Sequence, residues 1–142
     1  QVFPKNRSIR QILKALEKGE DVGFLIDQNV QEKEGVYAPF FGHPACTSSI
    51  LAALALKTPA FVVVGFIYPR EDVPGYYRIR FHSPIQLISS GDYEKDLVQG
   101  TAKFNHYIEE MIREYPHCWL WGHRRFQTQP DGTSLYDVEL KK

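Results

Sequence analysis

Asp27 and Gln28 place a carboxylate and an amide directly after a short apolar run, residues 22–26. A carboxylate at the end of a buried strand could orient a catalytic group, bind a sugar hydroxyl or cap a helix. Asp is also common where a strand gives way to a turn. The position alone therefore leaves a functional and a structural interpretation open.

A second candidate is the basic pair Arg124 and Arg125, which Trp119, Trp121 and Phe126 flank. Arginine matches the geometry of a phosphate with its paired N–H donors, and packed aromatic rings would hold the charges in place. Trp also favours a membrane interface. For any single arginine a solvated surface position is the simpler interpretation, but the aromatic frame favours a binding role for this pair.

The segment 35–42 holds three aromatic residues and a proline between Gly35 and Gly42. Such a segment could wall an apolar groove for an acyl chain, with Phe40 and Phe41 as its rings. The glycines would let the backbone approach a ligand closely. A hydrophobic cluster beneath a long loop is an equally consistent interpretation.

Composition narrows the class of protein. The chain has 142 residues, enough for one domain with a core, and 43% of them are apolar. Its 17 basic and 17 acidic residues give a net charge of zero, which argues against generic nucleic-acid binding. Two cysteines do not form a disulfide framework, so a reducing compartment is expected.

A metal site is not expected. The histidines and cysteines that could bind zinc follow no structural zinc spacing. They are His43, Cys46, His117, Cys118 and His123.

The first half of the chain predicts a strand–helix–strand unit. After a helix from Ile9 that ends near Gly19, an apolar strand is expected at 22–26, a helix at 45–56 and a second strand at 61–67. A crossover of this kind would be right-handed and parallel. Residues 28–44 show no clear periodicity and are expected to form a loop. Ligands of open α/β sheets bind at this edge.

The second half predicts strands at 76–81 and 85–88 after the turn signal Pro74–Gly75. Asp92 is a suitable N-cap for one long helix that runs to Tyr115. Pro116 would stop that helix, and the remainder is expected to be irregular and rich in aromatic residues.

Three segments in order resemble the lipid A biosynthesis lauroyl/myristoyl acyltransferase family. The first is Arg10 to Gln28, and the second is Gly35–Val36 with Pro39 to Gly42, Ala45 and Thr47. The third is Tyr115–Pro116, Trp119, Trp121, His123 to Phe126 and Thr128. Together they cover nearly the whole chain.

This resemblance implies an enzyme that moves an acyl chain from acyl carrier protein or an acyl-CoA thioester to a lipid A precursor, in lipopolysaccharide biosynthesis. The work would take place at the cytoplasmic face of the Gram-negative inner membrane, without a further cofactor. It also implies an α/β fold, a mixed sheet with flanking helices like that of glycerol-phosphate acyltransferases. The family's catalytic dyad is a His with Asp or Glu five positions later, the His acting as general base.

That dyad is absent from the sequence. The residues five positions after the five histidines are Ser48, Leu87, Met111, Gly122 and Thr128, none of them acidic. We therefore expect residues 1–142 to be the C-terminal part of a single acyltransferase domain, with the dyad and a membrane helix upstream. No catalytic residue is then expected in this chain, except that Asp27 could support the dyad.

The resemblance also implies roles for particular residues. Asp27 and Gln28 would lie near the reaction centre, and Gly35 with the turn Phe40–Phe41–Gly42 would shape the site. Arg70, Arg124 and Arg125 would bind acceptor phosphates or acidic groups of the carrier protein.

Two other functions stay open. The chain could belong to a related acyltransferase for a glycerol-phosphate or mannoside lipid, or to a non-enzymatic module that binds lipid or carrier protein. In each case an apolar surface would be exposed where an absent part packs, so this chain is expected to self-associate.

Overall fold

The computed structural model describes residues 8–136. Within that range the chain forms three α-helices and four strands, arranged as two separate antiparallel pairs. The helices are α1 (Ile9–Glu17), α2 (Ile50–Lys57) and α3 (Tyr93–Glu114). The strands are β1 (Gly35–Phe40), β2 (His43–Ser48), β3 (Gly65–Pro69) and β4 (Tyr77–Phe81). Short 3₁₀ turns lie at Glu32–Glu34 and Pro116–Cys118.

Strands β1 and β2 form a hairpin closed by Phe41 and Gly42, with Phe40 opposite His43. The φ angles of the two turn residues are 49° and 79°. Two positive φ values match the twist of a two-residue hairpin, although Gly and Asn are the usual residues there. The loop expected at 28–44 is therefore wrong in its second half, because residues 35–40 and 43–44 are paired strand.

Helix α2 begins later than expected. Residues 45–48 belong to β2, where Ala45, Cys46 and Thr47 are fully buried, and the helix starts only at Ile50. The small apolar residues that suit a helix also suit a buried strand, so composition alone misplaced this boundary.

The parallel strand–helix–strand unit is wrong as well. Residues 22–26 lie in no strand, and β3 pairs antiparallel with β4 in register Ile67–Ile79. The strand expected at 61–67 begins at Gly65, and before it Val62 makes only an isolated bridge to Ile85. The strand expected at 76–81 is confirmed, as β4. The strand expected at 85–88 is wrong, because only Ile85 pairs there, in its bridge to Val62.

Helix α3 is confirmed and organises the core. The Asp92 side chain accepts a hydrogen bond from the Lys95 backbone N–H, which caps the first turn. Ile108 lies in one apolar cluster, with Phe40, and Phe104 lies in a second cluster. Both clusters therefore pack against α3, whose buried residues are Asp96, Leu97, Gly100, Thr101, Phe104, Asn105, Ile108, Met111 and Ile112.

Gly35 supplies a test of how closely the hairpin packs. A Cβ at Gly35 would overlap the Thr47 carbonyl oxygen and lie 2.6 Å from Val30 Cγ2. We predict that Gly35→Ala lowers the free energy of unfolding by about 1–3 kcal/mol, since an overpacked site must shift its neighbours. Denaturant titration of the chain measures this. Gly23→Ala, whose Cβ would meet nothing within 4 Å, is the matched control; equal midpoints for both variants would contradict the prediction.

Candidate functional site

Arg125 lies inside the protein, with 2% of its surface exposed. Its Nη2 donates to Thr47 Oγ1 at 2.6 Å and to Asn105 Oδ1 at 3.3 Å, and its Nη1 donates to the Cys46 carbonyl at 3.2 Å. The guanidinium carbon also lies 4.8 Å from the ring centroid of Phe40. One side chain thus joins β2, α3 and the irregular segment after α3.

The partners of Arg125 are neutral acceptors rather than a carboxylate. Burial therefore lowers the pKa of Arg125 to about 10, while the negative charge of Asp27 opposes that shift. The guanidinium is still protonated at neutral pH. Because the pKa is depressed by folding, the unfavourable effect of this burial is present at neutral pH and is relieved only as pH rises above about 10.

Asn29 holds the segment that carries Asp27 and Gln28 against the irregular segment after α3. The Asn29 backbone N–H donates to His123 Nε2 at 2.9 Å, and Asn29 Nδ2 donates to Thr128 Oγ1 at 2.9 Å. In return, the Thr128 backbone N–H donates to Asn29 Oδ1 at 3.2 Å. Only an unprotonated Nε2 accepts such a bond, so His123 serves here as an acceptor that positions backbone.

Asp27 and Gln28 lie on an apolar cleft of about 390 Å³. Asp27 is half-buried and Gln28 is exposed. An apolar cleft with a few polar groups has the form of a ligand site or of a surface that another segment covers. The cleft is lined by residues 24–28, Leu51, residues 62–68, Phe104, Ile108, Met111, Ile112, Tyr115, Cys118 and Trp119.

The predicted aromatic turn, Phe40–Phe41–Gly42, does not line this cleft. Phe40 is buried in the core, where its ring contacts those of Phe41, Trp119 and Phe126. The Phe41 backbone N–H donates to Glu109 Oε1 at 2.8 Å, which holds the hairpin turn against α3. Phe40, Phe41, Gly42 and Gly35 are not among the residues that line the cleft, and their role in shaping a substrate site stays a prediction.

The three predicted arginines are not brought together. Arg70 follows β3, where its Nε donates to Asp72 at 3.0 Å, and this guanidinium lowers the pKa of the Asp72 carboxyl. Arg124 is exposed, with its guanidinium carbon 5.9 Å from the Tyr136 ring centroid. Arg125 is buried. Their binding of phosphate or carrier protein stays a prediction, and Arg124 is the one of the three that is exposed without an ion pair in the described residues.

Sequence reasoning missed a polar group beside the cleft. Tyr68 and Tyr115 both line the cleft and stack with ring centroids 4.3 Å apart. The Arg80 guanidinium pairs with the Glu114 carboxylate, Nη2 to Oε1 at 2.8 Å, next to the same rings. A hydrogen bond with Glu114 raises the pKa of Tyr115 to about 12. The interleaved Tyr and Arg of β4 were visible in the sequence, but the partners from α3 were not.

Comparison of the sequence with known proteins identifies the family of this chain. The family model described as bacterial lipid A biosynthesis acyltransferase matches residues 1–128. The chain belongs to this family. The resemblance stated from the three segments is confirmed.

Curated members of the lipid A acyltransferase family match nearly all of this chain but are much longer than it. The chain is 36% identical over 91% of its length to the lipid A biosynthesis palmitoleoyltransferase of Escherichia coli, strain K12. It is 29% identical over 89% of its length to the lauroyltransferase of the same strain, and 28% identical over 92% to an acyltransferase of Haemophilus influenzae. The chain spans about two fifths of these relatives, 41%, 40% and 42% of their lengths.

In the part of the chain that the structure describes, residues 8–136, no helix is both long and apolar enough to cross a bilayer.

Arg125 can be tested against its sequence neighbour. We predict that Arg125→Lys lowers the free energy of unfolding by about 2 kcal/mol, because an ammonium cannot reach the three acceptors of the planar guanidinium and leaves buried groups unpaired. Arg124→Lys, at the adjacent exposed position, is expected to change it by less than about 0.5 kcal/mol. Denaturant unfolding of the two variants side by side measures the difference. Similar losses in both variants would mean that the buried contacts contribute little.

Proposed function

We propose that the full-length protein carrying this chain transfers an acyl chain from acyl carrier protein, or from an acyl-CoA thioester, to a lipid A precursor in lipopolysaccharide biosynthesis. Membership of the lipid A acyltransferase family supports this reaction class. One observation supports a role for this chain in the site. Asn29, directly after Asp27 and Gln28, is hydrogen-bonded to His123 and Thr128 and so holds these two residues in place.

We place the general base outside this chain. Each histidine lacks an acidic residue five positions later. In this proposal the remainder of the domain supplies the dyad and completes a glycerol-phosphate-acyltransferase-like α/β fold, and residues 1–142 are inactive alone. The relatives, of which the chain spans about two fifths, have ample length for such a part.

Asp27 is proposed to support the chemistry rather than to perform it. Its carboxylate is half-buried, and its charge acts on the buried guanidinium of Arg125. A carboxylate so placed can accept a hydrogen bond from the acceptor hydroxyl or from the dyad histidine, and the adjacent Gln28 amide can donate to substrate oxygen. Both groups directly precede Asn29, and its hydrogen bonds to His123 and Thr128 favour a preorganised site.

The partners are proposed from charge and exposure. Arg124 is exposed. Its guanidinium could donate two hydrogen bonds to an acceptor phosphate or to a carboxylate on the acidic surface of acyl carrier protein. Leu120 and Trp121 are also exposed, at 73% and 67%. Apolar and Trp side chains beside a basic residue suit an anionic membrane surface. We propose that the protein works at the cytoplasmic face of the Gram-negative inner membrane.

The direct experiment is an acyl-transfer assay with the purified full-length protein. Acyl carrier protein loaded with a defined acyl chain is the donor, and a lipid A precursor is compared with glycerol-3-phosphate as acceptor. We expect an acylated lipid A precursor by mass spectrometry and no acylated glycerol-phosphate. Transfer only to glycerol-phosphate, or binding of both substrates without any transfer, would refute the proposal.

The specific role of the Asp27 carboxylate can be distinguished from the effect of removing any negative charge in this segment. In the full-length protein, Asp27→Asn is predicted to lower the rate of acyl transfer by roughly 10- to 100-fold, the equivalent of one lost charge-assisted hydrogen bond. Asp21→Asn, at an exposed position earlier in the same segment, is the matched control and is expected to leave the rate unchanged. Steady-state assays of both variants, with melting curves to verify folding, give the answer. Equal rates for Asp27→Asn and the parent protein would remove Asp27 from the site.

A further inference from the structure

The cleft beside Asp27 has the form of a slot for one β-strand. One wall is residues 24–28, the other is residues 62–68, and residues of α3 form the floor. Every residue of both walls lines the cleft. Because neighbouring side chains of a strand point to opposite faces, the unbroken run of lining residues at 62–68 means that the cleft faces the edge of this wall rather than a face.

The edge of β3 that faces the cleft has backbone groups directed into it. Val62 exchanges hydrogen bonds with Ile85, and the Val64 carbonyl accepts from the His82 N–H, so these residues bond toward the β4 side. Backbone groups of an antiparallel strand alternate in direction. Val63, Gly65 and Ile67 therefore direct their N–H and C=O groups away from β4, toward the cleft.

The opposite wall is also unpaired. Within residues 8–136, no backbone–backbone hydrogen bond involves residues 21–28. Its central run, residues 22–26, is nevertheless apolar, and Leu25 is 93% exposed. An apolar segment whose backbone groups have no backbone partner can pair with an added strand.

We propose that a β-strand from the part of the acyltransferase domain that the relatives have beyond this match enters the cleft and joins residues 22–27 and β3 into one sheet. The proposal rests on the proposed function in one respect, that this chain is part of a longer domain. More than half of each relative lies outside the match, which is ample to supply a strand.

The backbone groups argue for a strand rather than a hydrocarbon chain as occupant. An acyl chain would match the apolar side chains but would leave the N–H and C=O groups of both walls without partners, which is unfavourable once water is excluded. A strand satisfies both edges and also packs its own apolar side chains on the α3 floor. This is the main-chain recognition used when an extended segment adds to an open sheet edge.

Two proline variants of the full-length protein test the slot. Ile67→Pro removes an N–H that points into the cleft, and Ile79→Pro removes one that points away from β3 on the paired strand. The two residues are opposite each other in the β3–β4 register and are 66% and 58% exposed. Proline is tolerated at a free edge but not in a central strand. We expect Ile67→Pro to lower the melting temperature by roughly 5 °C more than Ile79→Pro. Equal shifts, or a larger shift for Ile79→Pro, would overturn the proposal.

Hydrogen exchange of the unmodified full-length protein provides a second measurement, which does not depend on a variant folding. We expect the amides of Val63, Gly65 and Ile67 to exchange as slowly as that of Ile85, which already donates to Val62. Free exchange of these three amides overturns the proposal. Protection that rises with protein concentration would assign the slot to a second copy, and protection that requires added acyl donor would assign it to the lipid.

The outcomes separate this proposal from the proposed function. Slow exchange at the cleft with no acyl transfer to any acceptor would retain the strand and reject the reaction. Transfer to a lipid A precursor with free exchange at the cleft would retain the reaction and reject the strand.

Discussion

Burying a guanidinium with no carboxylate in ion-pair contact, as Arg125 is buried in the described part of the chain, imposes a strict requirement on its surroundings. Removing a charge from water is unfavourable unless hydrogen bonds replace the lost hydration. Here the replacement comes from Thr47 Oγ1, the Cys46 carbonyl and the Asn105 side chain, which belong to β2 and α3. Those elements must hold these acceptors in one geometry, and the geometry in turn places the segment that carries Arg125.

This requirement explains how an irregular segment can be well positioned. Residues 119–129 contain no helix or strand, yet Phe126 packs on Phe40 and Gln129 donates to the Pro44 carbonyl at 3.2 Å. Once this segment is fixed, His123 and Thr128 offer fixed partners to Asn29. The position of Asp27, two residues before Asn29, thus depends on contacts made almost a hundred residues later in the chain.

Sequence patterns within a few residues of each other predicted the elements that depend on local interactions. The long helix α3, its Asp92 cap and strand β4 followed from periodicity and capping residues. The β1–β2 hairpin did not, because Phe41 occupies a turn position where Gly or Asn normally carries the positive φ. The burial of Arg125 was equally hidden, since an arginine is by default a surface residue and its acceptors lie about twenty and eighty positions away. Of the candidate site, Asp27 and Gln28 were placed together on a cleft as neighbours of an apolar run, whereas Asn29 and the Tyr68–Tyr115 stack came only from the fold.

Two of the strand predictions that failed, at 22–26 and at the start of 61–67, fall on the two walls of the cleft. Both segments are rich in the apolar residues of a strand buried on two faces. A sequence pattern reflects the environment in which a segment has to be stable, so it can record a partner that the described residues do not include. A strand between the walls would give both segments the neighbours that their composition requires. If such a strand lies between the walls, the disagreement between pattern and pairing at these two segments is the expected result.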